Sequence, residues 1–141
     1  IRRPPRSTLS SSSAASDVYK RQDFNSPSYK KFSNAPILDR KTMIWFWENY
    51  LGKIKENPIA VPELEEDLTN LPDTIICTAE IDPLASDGIK FVKKLEDNSV
   101  NVSHIVAKNL VHGFIRFREK NSPSEHYFQL ICKDILNIIQ K

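Results

Sequence analysis

Residues 71–114 read LPDTIICTAEIDPLASDGIKFVKKLEDNSVNVSHIVAKNLVHGF. Thr74 to Ala79 is a short, nearly continuous run of apolar and β-branched residues, which suits a strand covered on both faces in a parallel sheet. From Leu84 to about Asp97 the period becomes helical, with Gly88, Phe91, Val92 and Leu95 on one face. Asn98-Ser99 breaks that helix, and Val102 to Ala107 is a second strand. The 22 residues between Ala79 and Val102 are ample for a crossover helix joining parallel strands.

Downstream, Ser122-Pro123-Ser124-Glu125 opens a last helix, with serine at the cap, proline in the first turn and glutamate placed for a capping box. Phe128, Ile131, Ile135, Ile138 and Ile139 repeat along it at helical spacing. Upstream, Asp39 is the expected cap of a helix running to about Leu51, with Gly52 as its stop. Met43, Phe46, Trp47, Tyr50 and Leu51 make a broad stripe on that helix, read as core packing rather than as a pocket lining. Residues 57–72 hold three prolines and the acidic run Glu63, Glu65, Glu66 and Asp67, which read as a solvated loop. That run lacks the alternating ligands of a calcium loop. The order is helix, strand, helix, strand, helix, an α/β pattern. Two parallel strands leave edges and a face open, so residues 23–141 are expected to be part of a larger domain. The chain also opens on Ile1, and its true start is expected elsewhere.

The net charge of +2 is local in origin. Residues 1–22 carry Arg2, Arg3, Arg6, Lys20 and Arg21 against Asp17 alone, which leaves 15 basic and 17 acidic side chains for the rest. Without that segment there is no electrostatic case for nucleic acid or an anionic membrane. No run approaches the roughly 18 to 20 apolar residues of a spanning helix. Residues 1–22 are rich in Ser, Ala, Arg and Pro without apolar periodicity, so they are expected not to pack. A transit peptide and a basic tail both fit that composition, but the segment more closely resembles translated sequencing-adapter read-through. Cys77 and Cys132 lie in apolar runs with no metal-ligand spacing, which suits free thiols and a reducing compartment such as the cytoplasm.

In open α/β sheets, chemistry gathers beyond the carboxyl ends of the strands. Asp82 lies three residues past the first expected strand and His112 five past the second. Strands about 4.8 Å apart can bring such loops together, and an Asp–His pair fixes the imidazole tautomer and stabilises the imidazolium. Spacing alone leaves the plain alternatives open: a helix cap for Asp82, and a turn for His112-Gly113. His104, inside a strand, reads as structural, and His126, in the first turn of the last helix, as solvated.

The DPL run at 82–84, the acidic residue and glycine at 87–88 and the HGF run at 112–114 resemble the C-terminal signature of the hormone-sensitive-lipase-like group of α/β-hydrolases. WFWENYL at 45–51 is similar to the aromatic helix preceding that group's last strands. The resemblance implies the C-terminal portion of an α/β-hydrolase fold, Asp82 as triad acid, His112 as triad base, a small-molecule ester substrate and no metal or organic cofactor. Gly52, Gly88 and Gly113 are the only glycines, so the G-x-S-x-G elbow and the HGGG loop of that group are absent from this sequence. The alternatives are another hydrolase of the superfamily, such as a serine peptidase or a dienelactone hydrolase, and a non-catalytic ligand-binding member.

Overall fold

A computed structural model of the chain describes residues 23–51 and 64–140. The expectations for residues 1–22, for Gly52 and residues 57–63, and for the side chains of Tyr50 and Leu51 lie outside the described residues. The elements run α1 (Pro27–Lys31), α2 (Arg40–Leu51), β1 (Thr74–Ile81), α3 (Ala85–Asp97), β2 (Val102–Val111), a 3-10 turn (Phe114–Phe117) and α4 (Pro123–Ile139). β1 and β2 pair in parallel, with α3 as the crossover.

Strand side chains alternate between faces, and two helices divide those faces. Ile76 and Val102 pack with Phe91, Leu95, Val100 and Leu68 on the α3 side. Cys77, Ala79 and Ala107 pack with Phe114 and Tyr127, and Ser103 Oγ meets Asp134 of α4. In the strands only Ala79 and Ala107 are buried. The expectation of strands covered on both faces therefore holds only in part among the described residues, because each face is crossed by one helix and no third strand flanks the pair. Among those residues no helix is long and apolar enough to cross a membrane.

Both strands outrun their expected ends. β1 continues through Glu80 and Ile81, and β2 through Lys108 to Val111. The apolar runs stop at Ala79 and Ala107, but backbone pairing does not: Ile81 pairs with Val111 after an irregularity. Asp82 and His112 therefore follow their strands directly.

α3 buries Asp87, Gly88, Phe91, Val92 and Leu95, so the expected face is the buried face. At its end Ser99 N–H donates to the Glu96 carbonyl and Val100 N–H to the Leu95 carbonyl, the paired bonds of a Schellman stop. Ser99 sits at φ 61°, where a Cβ is strained by about 1–2 kcal/mol. Ser99→Gly should therefore raise stability by about 0.5 kcal/mol, after the entropy glycine adds to the unfolded chain. Urea denaturation reads this directly, and a lowered midpoint would refute it.

α2 is capped as expected, with Asp39 Oδ1 accepting from Thr42 N–H at 2.6 Å. Met43 and Trp47 join Tyr29, Leu38 and Leu84 in a core cluster. Phe46, expected in that stripe, is 47% exposed and stacks edge-on with Trp45. Among the described residues the buried arc is therefore narrower than the sequence stripe. At α4, Ser122 Oγ accepts from Glu125 N–H at 3.1 Å, but the reciprocal half of the box is missing. Ser122 N–H goes to the Glu119 carbonyl, and Glu125 accepts from Gln129 instead. Ile135 and Ile139 of the α4 stripe are exposed.

Candidate active site

Asp82 is the first residue after β1 and is 6% exposed. Its Oδ1 accepts from Leu84 N–H at 2.8 Å, an Asx turn that leads into α3. Its Oδ2 lies 2.9 Å from His112 Nδ1. One carboxylate oxygen thus meets the histidine, while the other closes the turn before α3, whose N-cap is Leu84 without a side-chain cap bond, so Asp82 is not the helix cap. An ionised carboxylate only accepts, so in a neutral ring Nδ1 carries the proton and Nε2 keeps its lone pair.

His112 is the first residue after β2 and is held from behind. Gly113 takes φ 68° and starts the 3-10 turn, whose Phe114 is buried against Ala79 and Ala107. A Cβ on Gly113 would meet nothing within 4 Å, so glycine serves the left-handed backbone here rather than a close approach.

The turn carrying Asp82 is tied down by groups that sequence reasoning missed. Ser28 and Ser86 exchange reciprocal bonds, each backbone N–H donating to the other's hydroxyl at 3.0 Å, and Ser28 Oγ donates to the Pro83 carbonyl. Ser28 is 5% exposed and Pro83 is buried, so α1 is bolted to the DPL turn. No periodicity marks Ser28, since its partners lie 55 and 58 residues away.

The other titratable groups stay apart from this pair. His104 Nε2 meets Thr78 Oγ1 at 3.0 Å, and burial holds its pKa below the usual histidine value while Glu96 pulls it upward. His126 is exposed with its ring edge-on to Tyr127. Asp67 accepts from both the N–H and the hydroxyl of Thr69, which holds it below the usual carboxylate range, and Glu63 of the same run lies outside the described residues. Cys77 and Cys132 are free and half-buried, and burial pushes the Cys77 thiol up to about 11. Among the described residues no three His, Cys, Asp or Glu side chains gather as a metal-binding group.

Residues 5–116 match the family described as alpha/beta hydrolase fold. Vegetative-specific protein H5 of Dictyostelium discoideum is 33% identical over 103 residues, covering 70% of this chain and 31% of that protein. Esterase LipI of Mycobacterium tuberculosis is 38% identical over 98 residues, covering 67% of this chain and 31% of its own length. In three dimensions the chain is similar to esterase LipW of Mycobacterium marinum, with a TM-score of 0.80 over 88% of this chain and 39% of that one, at 22% identity. The chain thus spans about a third of the length of the curated relatives it matches.

Proposed function

Because the chain belongs to the alpha/beta hydrolase fold family, we propose that it supplies the acid and the base of a serine carboxylic-ester hydrolase. The observation that carries this reading is the 2.9 Å contact between Asp82 Oδ2 and His112 Nδ1 just beyond the carboxyl ends of neighbouring parallel strands. Residues 23–141 are then the C-terminal part of the hydrolase domain, and the nucleophilic serine and the oxyanion donors come from a portion of the protein outside this sequence.

His112 Nε2 takes the hydroxyl proton as the serine oxygen attacks the acyl carbon. The resulting imidazolium gives that proton to the leaving alcohol as the ester C–O bond breaks. Water then attacks the acyl-enzyme, losing its proton to the same Nε2, and the acid is released as the serine is reprotonated. Asp82 accepts from the ring Nδ1: it holds the ring and stabilises the imidazolium. Relatives named esterase and carboxylesterase support an ester rather than a peptide substrate.

The 141-residue chain by itself should not hydrolyse p-nitrophenyl acetate, because it holds no G-x-S-x-G elbow. The full-length protein should hydrolyse it and be labelled on serine by a fluorophosphonate. Turnover by the short chain that is lost on His112→Ala would place the nucleophile inside this sequence and overturn the assignment.

A further inference from the structure

From Thr74↔Val102 to Ala79↔Ala107 every β2 partner stands 28 positions after its β1 residue, and that register continued would set Asp82 against Leu110. Ile81 instead pairs with Val111, 30 positions on, which sets Asp82 against His112. β2 has taken in two extra residues opposite Glu80. At about 3.3 Å per residue, an unbulged strand would carry His112 roughly 6–7 Å past the carboxylate, well outside hydrogen-bond reach. The bulge therefore brings the pair together.

A bulge breaks ladder bonds and leaves backbone groups to be satisfied elsewhere. Asn109 takes φ 58°, a conformation asparagine tolerates better than most residues. Its N–H donates across the strands to Glu80 Oε2 at 2.8 Å. The neighbouring Lys108 N–H donates to the Tyr127 hydroxyl of α4 at 3.1 Å. Tyr127 is fixed in turn by its edge contact with Phe114, two residues beyond His112.

We infer that Glu80 and Tyr127 are positioning residues that clamp the β2 bulge and so hold His112 level with Asp82. The inference rests on the catalytic reading above. Both side chains bond to backbone N–H groups of the bulge. Their effect is on how often the imidazole occupies the productive position, and a 1 Å error there is worth up to about a hundredfold in rate.

The test uses the full-length protein with p-nitrophenyl acetate as substrate and NMR of the His112 Nδ1–H proton. Glu80→Ala should lower kcat about tenfold, leave KM within about twofold, and weaken the Nδ1–H resonance through faster exchange. Glu80→Gln keeps an oxygen acceptor and should restore most of both. Tyr127→Phe keeps the ring contact and removes only the hydroxyl, so it carries the same test should Glu80→Ala fold poorly. Glu80→Ala and Tyr127→Phe with wild-type kcat and an unchanged resonance, beside an inactive His112→Ala, would sink the clamp and leave the catalytic reading standing. Wild-type turnover in His112→Ala would overturn the catalytic reading, and the clamp with it.

Discussion

Asp82→Asn in the full-length protein should lower kcat for ester hydrolysis by about 10⁴-fold with little change in KM or thermal midpoint. The size follows from which atom faces which. Asp82 Oδ1 accepts from Leu84 N–H at 2.8 Å, and the turn into α3 depends on that acceptor. An asparagine keeps the turn only by placing its carbonyl oxygen there, which turns its NH2 group toward His112. An NH2 can donate but not accept, so Nδ1 must become the acceptor and the ring proton must move to Nε2. The base is then blocked although every backbone contact survives. His112→Ala removes the base itself and should show a loss at least as large, since residues of such a unit act together. Steady-state kinetics on the two variants and their double mutant check this. A combined loss close to that of His112→Ala alone is expected, and an Asp82→Asn enzyme keeping more than a tenth of wild-type kcat would contradict the assignment.

The strand–helix–strand core was legible because each element advertises its period. The run at 74–79 and the stripe Gly88-Phe91-Val92-Leu95 both lie where their patterns place them. Strand ends were not legible. Glu80 and the Lys108-Asn109 pair look like loop in a one-dimensional pattern, yet they continue the sheet because the backbone pairs again at Ile81↔Val111. The sequence pattern puts Asp82 and His112 both further from the strands, so it carries their proximity but not its cause, the bulge. Asp82 and His112 could be named from their place after strands and from the DPL and HGF runs. Ser28, Ser86, Glu80 and Tyr127 could not, because each bonds to a backbone group 19 to 58 residues away, and no local pattern records such a partner. Phe46 and the outer isoleucines of α4 show the converse limit. A stripe tells which residues share a face, but the width of the surface opposite decides how many are covered.

Leu95→Ala should cost the folded state about 3–4 kcal/mol. Leu95 is 0% exposed and lies among Phe91, Val100, Leu68, Ile76 and Val102, so it joins α3, both strands and the loop before β1. Removing its branched end loses the transfer free energy of the buried carbons, about 0.8 kcal/mol for each CH2-sized group. The remainder is the cavity, and its size depends on whether neighbours can close in. Here they are tethered. Val100 is held by its own N–H to the Leu95 carbonyl, and Leu68 by its N–H to Asn98 Oδ1 at 3.1 Å. Ile76 and Val102 are fixed by strand pairing, so collapse is resisted from three sides and the lower end of the Leu→Ala range does not apply. Ile89→Ala on the same helix is the control: at 56% exposure it should change stability by no more than about 0.5 kcal/mol. Urea denaturation of the full-length protein distinguishes the two, provided the slope of each transition stays constant. A Leu95→Ala loss below about 1 kcal/mol would mean that α3 is not seated on the sheet as described. The turn holding Asp82 would then have no rigid helix behind it, because α3 begins only three residues beyond that carboxylate, at Ala85.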